Sequence, residues 1–396
     1  MPAPRFSNRL GWDLAPNRLT QLLDEKRSAG APILDLTESN PTTAEFAYSR
    51  DEILSALADP GWLRYQPSAA GLPAARAAVS AYYAGALGRQ VAPDRILLTA
   101  STSEAYALVF KLLADPGDEV LAPSPSYPLF EYLAGLDCVR VVQYPLVYHG
   151  RWNIDFDALA RSVTARSRAV VVVNPNNPTG SFLKQSELGP LIALCRERNL
   201  ALISDEVFAD YLLDNQVDDK AAVVRSLTGI DEILTFCLSG LSKVAGLPQL
   251  KLGWIATGGP GPDREKASER LELIADTYLS VSAPVQWAAP SLLGLRAQLQ
   301  RQILDRVRDN RRVLSGQIGA ASPWSLLSTE GGWYAVLEAP RIRTEEDWAL
   351  HLLAQENVLV QPGFFFDFER EAFLVVSLLT PEGVFREGIR RILAQA

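Results

Sequence analysis

The run Ala169-Val170-Val171-Val172-Val173 is apolar and almost wholly β-branched, and it stops abruptly at Asn174-Pro175-Asn176-Asn177-Pro178-Thr179-Gly180. Such a run reads as a buried strand. The segment from Asn174 to Gly180 reads as a tight loop, because Pro and Gly break the ladder and Asn accepts turn geometry. A second run, Leu200-Ala201-Leu202-Ile203-Ser204-Asp205-Glu206-Val207-Phe208, delivers the acid Asp205 to the end of an apolar strand in the same way. Strands and helical patterns alternate to about residue 290, the signature of βαβ units and a mostly parallel sheet. In open α/β sheets ligands bind outside the carboxyl ends of the strands. Asn177 and Asp205 are therefore expected at one crevice.

A third segment belongs with them. Lys243 sits in Leu238-Ser239-Gly240-Leu241-Ser242-Lys243-Val244-Ala245-Gly246, bracketed by small and hydroxylated residues. Little bulk around an ε-amine suits close approach to a carbonyl compound, and partial desolvation lowers a lysine's pKa enough for attack on it. Lys243 is a Schiff-base candidate; the plainer alternative is an exposed loop lysine.

The three segments, in this order and at this spacing, resemble those of the fold type I pyridoxal-phosphate enzymes and, within them, the class I/II aminotransferases. The likeness runs from about Leu34 to near Arg391. It implies an α/β fold, a mostly parallel sheet sandwiched by helices, with a smaller α+β domain. The expected division is an arm and part of the small domain over 1–45, a cofactor-binding large domain over 46–293 and a C-terminal small domain over 294–396. The implied activity moves an amino group between an amino acid or amine and a keto acid through a Lys243 aldimine of pyridoxal 5′-phosphate. A β-lyase, racemase or other lyase on the same scaffold is the alternative, since the cofactor's electron sink is common to all of them.

The resemblance also assigns roles. Asn177 would donate to the cofactor's phenolic oxygen. Asp205 would keep the ring nitrogen protonated, as an adjacent carboxylate does, the alternative being a helix cap. Ser101, Thr102 and Ser103, at a strand-turn-helix junction, fall where the family binds the phosphate, and a helix N-terminus suits an anion; an ordinary Ser/Thr cap is the other reading. Tyr127, in Pro125-Ser126-Tyr127-Pro128, would stack on the pyridine face or else be a surface tyrosine. Tyr65, in the loop from Arg64 to Leu72, would reach the phosphate of a partner subunit, which implies a homodimer.

Four positions depart from the family. Phe208 stands where many relatives have a tyrosine, and Gly240 where a phosphate-binding serine is usual, leaving Ser239 and Ser242 as substitutes. Lys251 replaces an arginine and loses its bidentate fork. Val375 falls where an arginine commonly clamps the substrate carboxylate. Either another arginine, with Arg64, Arg18 and Arg50 as candidates, does that work, or the substrate lacks the group. Asn40 is a further candidate substrate contact. The run Gly363-Phe364-Phe365-Phe366-Asp367-Phe368 lines the pocket or packs in the core.

Composition agrees. The 396 residues are enough for one large and one smaller domain, and 48% apolar residues can bury a sizeable core. A net charge of −8 offers no basic footprint for nucleic acid. Cys138, Cys195 and Cys237 lack metal-ligand spacing and read as structural thiols of a reducing compartment. The N-terminus shows no apolar leader and no stretch is apolar enough to span a membrane, so a cytoplasmic protein is expected. A serine hydrolase is disfavoured because Gly240-Leu241-Ser242-Lys243-Val244 lacks the last glycine of a nucleophile elbow. A DNA-binding regulator is disfavoured by the short, non-basic N-terminal segment.

Overall fold

The computed structural model describes residues 6–213, 223–319 and 321–395. Residues 1–5 of the expected arm, and residues 320 and 396 of the expected C-terminal domain, lie outside that description, as do 214–222. The central sheet contains β1 (Ile96–Thr99), β2 (Glu119–Ser124), β3 (Arg140–Tyr148), β4 (Trp152–Ile154), β5 (Ser167–Val173), β6 (Ala201–Asp205), β7 (Thr235–Gly240) and β8 (Gly253–Gly258). Their spatial order is β1-β8-β7-β6-β5-β2-β3-β4. The middle of the sheet, from β7 to β3, is parallel, whereas β8 runs antiparallel to both its neighbours and β4 antiparallel to β3.

The unbroken apolar runs follow from burial on both faces. Val170, Val172, Leu202 and Cys237 pack into one core with Val285, Leu292 and Val79. Their neighbours Ala169, Val171, Ile203, Phe236 and Leu238 pack into a second with Val109, Phe110 and Leu271. A strand covered on both faces needs no polar alternation.

A four-stranded antiparallel sheet contains β9 (Ser325–Leu326), β10 (Tyr334–Glu338), β11 (Gln361–Pro362) and β12 (Phe373–Ser377), ordered β9-β10-β12-β11. Its core joins Trp333, Leu337, Leu374 and Val376 to Leu19, Leu36, Phe208 and Tyr211. A long helix runs from Ala283 to Gln317, through Pro290. Pro284 lies in the first turn, where its missing N–H is harmless. The interruption at Pro290 is offset by burial of Val285, Ala288, Ala289, Leu292 and Leu293 on the adjacent turns.

Candidate active site

The carboxyl ends of β5, β6 and β7 open on a cavity of about 750 Å³. Asp205 is the last residue of β6, and Lys243 lies in the helical turn Leu241–Val244 just after β7. Ser101, Thr102, Ser103, Tyr127, Asn177, Asp205, Phe208, Ser242 and Lys243 all line this one cavity.

Lys243 is half-buried on the cavity wall. Its Nζ lies 4.8 Å from the Trp333 ring centroid and 5.6 Å from that of Phe208. Burial lowers its pKa to about 8, against the opposing pull of the Asp205 charge. The Tyr211 hydroxyl donates to the Lys243 carbonyl at 2.6 Å, fixing the backbone of the turn. Asp205 is the complementary group: burial pushes its carboxyl up to about 6, while bonds from the Val207 N–H at 3.2 Å and the Tyr106 hydroxyl at 3.1 Å pull it down.

The loop after β5 divides its three asparagines between structure and cavity. Asn174 accepts from Leu183 N at 2.8 Å and donates to Val224 O at 2.7 Å. Asn176 accepts from the Thr179 hydroxyl at 2.8 Å and donates to Pro125 O at 3.2 Å. Asn177 alone lines the cavity, and its Oδ1 is buried without a partner. Buried polar atoms are rarely left so, and each one needs an explanation.

Ser101 is the N-cap of the helix Thr102–Leu113, its Oγ accepting from Glu104 N at 3.1 Å. The cap reading and the cavity placement therefore both hold for this residue. Gly240 has a packing reason: a Cβ there would meet Leu252 O at 2.8 Å and Gly253 Cα at 3.0 Å. The strand β8 approaches too closely for a serine. Ser239 is buried in β7 with its Oγ unpartnered and lies outside the cavity lining, whereas Ser242 is part of it.

Other expected residues lie elsewhere. Lys251 is exposed, at a left-handed backbone position after a 3-10 turn. Tyr65 is 76% exposed and lines a separate surface cavity, and Arg64 is exposed beside it. Asn40 is exposed and accepts from Thr42 N and Oγ1, so its neighbour Ser39 reaches the cavity instead. Val375 is fully buried against Trp152, Val336, Phe366 and Phe373. Within the aromatic run, Phe365 and Phe366 line the cavity, and Phe366 also packs in that apolar cluster.

Sequence reasoning missed Tyr106, Tyr211, Trp333, Tyr334 and Gln361. Only Tyr106 left a usable signal, since it lies four residues after Thr102 and hence on the same helix face. The others arrive from distant segments.

The family profile for aminotransferase class I and II matches residues 31–392. The glutamate-pyruvate aminotransferase of Haemophilus influenzae is 29% identical over 364 residues, covering 88% of this chain and 87% of that protein. The alanine aminotransferase of Mycobacterium tuberculosis is also 29% identical, with 84% of this chain and 78% of that protein covered. Among solved structures, the alanine aminotransferase from Pyrococcus furiosus superposes with a TM-score of 0.87 at 23% identity, over 98% of this chain and 99% of the other. A Thermus thermophilus aspartate aminotransferase variant gives 0.84 at 22%, over 99% and 100%.

Proposed function

The chain belongs to the class I and II aminotransferases, and from that premise we propose that Lys243 and Asp205 are its catalytic pair. It is a pyridoxal-phosphate-dependent transaminase. The lining fits that cofactor on its own chemistry: a desolvated amine, a buried carboxylate on the same cavity, a hydroxyl-rich helix N-terminus and an unpartnered Asn177 oxygen.

When bound, the cofactor's protonated ring supplies the sink for the electron pair left at the substrate's α-carbon. Asp205 would hold a proton on the ring nitrogen, its carboxylate oriented by the Tyr106 hydroxyl. The Asn177 amide would donate to the phenolic oxygen, and Tyr127 would cover the ring face. Ser101, Thr102, Ser103 and Ser242 would receive the phosphate, joined by Tyr65 of a second copy. Lys243 would hold the cofactor, and its Nζ, neutral when free, would be the base that moves a proton at the substrate's Cα. Asn40, Arg64 and Val375, expected to contact substrate, do not line this cavity, and Ser39 and Gln361 are the polar side chains at its substrate end that we assign to recognition instead. We place the enzyme in the cytoplasm as a homodimer. The division at about 293/294 draws support from the helix Ala283–Gln317, which packs through Val285–Leu293 in one core and through Leu299–Leu314 in another.

The observation that carries this reading is the placement of Lys243 and Asp205 on the wall of one cavity at the carboxyl ends of β7 and β6, where burial lowers the pKa of the amine and raises that of the carboxyl. Borohydride reduction and peptide mapping test it. Label is expected on the Lys243 peptide alone, and Lys243→Ala should remain folded with neither label nor turnover. Label on another lysine would overturn the assignment.

A further inference from the structure

The segment Leu241–Val244 that carries Lys243 is a single helical turn, too short to be stable by its own bonds. Ala245 N and Leu247 N both return to the Leu241 carbonyl at 3.1 Å. The carbonyls that follow lie at the C-terminal end of the turn, where a helix supplies no donor of its own. Three side chains from three distant segments fill that role. The Tyr211 hydroxyl donates to Lys243 O at 2.6 Å, the Gln300 amide to Val244 O at 2.7 Å and the Tyr48 hydroxyl to Gly246 O at 2.7 Å.

Each donor is itself held. Tyr211 is fully buried, its ring edge-on to Trp333 at 5.0 Å between centroids. Gln300, on the helix Ala283–Gln317, also bonds the Asp210 carboxylate, which accepts from the Tyr82 hydroxyl at 2.9 Å and feels the charges of Arg225 and Arg296. Tyr48 packs against the cores of both sheets, and burial pushes its hydroxyl up to about 12, so it remains a donor at neutral pH. None of the three lines the cavity, so what they do for the site passes through the backbone of the lysine turn.

We propose that Tyr211, Gln300 and Tyr48 are positioning residues that clamp the Lys243 turn at three successive points, keeping Nζ aimed at the reacting carbon whenever the side chain is not bonded to the cofactor. The proposal rests on Lys243 as the reactive amine. A lysine stem is flexible, so the side chain cannot correct a drift of the backbone that bears it. Small misplacements of a reacting group lower its rate steeply. The clamp therefore acts on how often a neutral Nζ is in place, not on how often it is neutral.

Tyr211→Phe, Gln300→Leu and Tyr48→Phe remove the three bonds singly with little change of shape. The apo-proteins are recombined with pyridoxal phosphate in stopped flow at about pH 9.5, where an amine with a pKa of about 8 is neutral. The limiting rate at saturating cofactor is expected to fall by about two- to tenfold in each variant, the size of one lost hydrogen bond. The cofactor concentration giving half that rate should not change. Tyr144→Phe is the control: it removes a buried bond of the same kind, to Val171 O at 2.8 Å, and should lower the thermal midpoint while leaving the limiting rate alone. If Tyr211→Phe does not fold, the half-buried Gln300 and Tyr48 carry the same test. An unchanged limiting rate in any folded variant of the three, or an equal fall in Tyr144→Phe, overturns the proposal. Failure of the catalytic reading appears separately, as recombination of Lys243→Ala at the unaltered rate.

Discussion

In the apo-protein Lys243 should titrate near pH 8 rather than as an ordinary lysine, and this can be read directly from recombination with pyridoxal phosphate. Burial against Trp333 and Phe208 takes its pKa from 10.5 to about 8. At about pH 7.5 such a group is roughly one quarter neutral, whereas an unperturbed lysine is neutral in about one molecule per thousand. The reactive form is thus enriched by a little over two orders of magnitude. The recombination rate, tracked by absorbance in stopped flow, should rise with pH, bend near 8 and level off above about 9. Asp205→Asn removes the carboxylate that favours the charged amine, so the bend should move below 8.

The same shift carries a stability sign. A lysine whose folded pKa lies below its unfolded value costs nothing above about pH 10.5, and its penalty is complete below about pH 8. Its size is at most about 3 kcal/mol for a shift of this extent. Lys243→Met should therefore stabilise the apo-protein at neutral pH by up to that amount, less whatever Asp205 loses with its countercharge. A recombination rate that still climbs tenfold per unit beyond about pH 9, or a Lys243→Met apo-protein less stable than wild type, would refute the desolvation argument.

Phe208→Tyr puts a phenol donor in the wall beside Lys243, and the spectrophotometric titration midpoint of the holoenzyme should fall; a rise would place residue 208 away from the phenolic oxygen. Glu330→Ala leaves the nearly buried Lys184 ammonium without its partner at 2.7 Å. It should cost about 3 kcal/mol in urea unfolding, the lower end for such a loss because Lys184 keeps the Trp152 and Phe182 carbonyls.

Some parts of this site were legible in the chain because their chemistry is local. A strand buried on both faces writes an unbroken β-branched run, and where it ends the residue type changes sharply, so Asn177 and Asp205 could be located at strand ends, while their roles came only with the family resemblance. The start of the helix at Ala283 was hidden, because Pro284 and Pro290 argue locally against helix while the packing that overrides them is tertiary. Gln361 and Trp333 carried no local mark either. Gln361 comes to the cavity through its pairing with Val375 across β11 and β12, which no single segment specifies. Gly240 was visible only as a missing serine, and the reason, the approach of β8 to within 2.8 Å of a would-be Cβ, required coordinates.

The tuning of Lys243 and the placement of Asn177 depend on one junction between the sheets. Gly180 closes the loop after β5, and its carbonyl accepts from Gly331 N at 2.8 Å and Glu330 N at 3.2 Å. Its φ is +69°, and a Cβ there would come within 2.4 Å of Gly331 O, so glycine is required twice over. Two residues past that contact Trp333 turns inward against Lys243, with its carbonyl held by Leu378 N at 2.7 Å. The Lys184–Glu330 pair ties the same two segments at their side chains, and Glu330 also accepts from Phe182 N at 2.8 Å. One of the two rings against the amine, Trp333, therefore arrives with the second sheet, while the Asn177 loop belongs to the first. A perturbation that loosens Gly180 from Gly331 is therefore expected to move the Trp333 ring and the Asn177 loop together, because the one hydrogen-bonded contact joins the two segments that carry them.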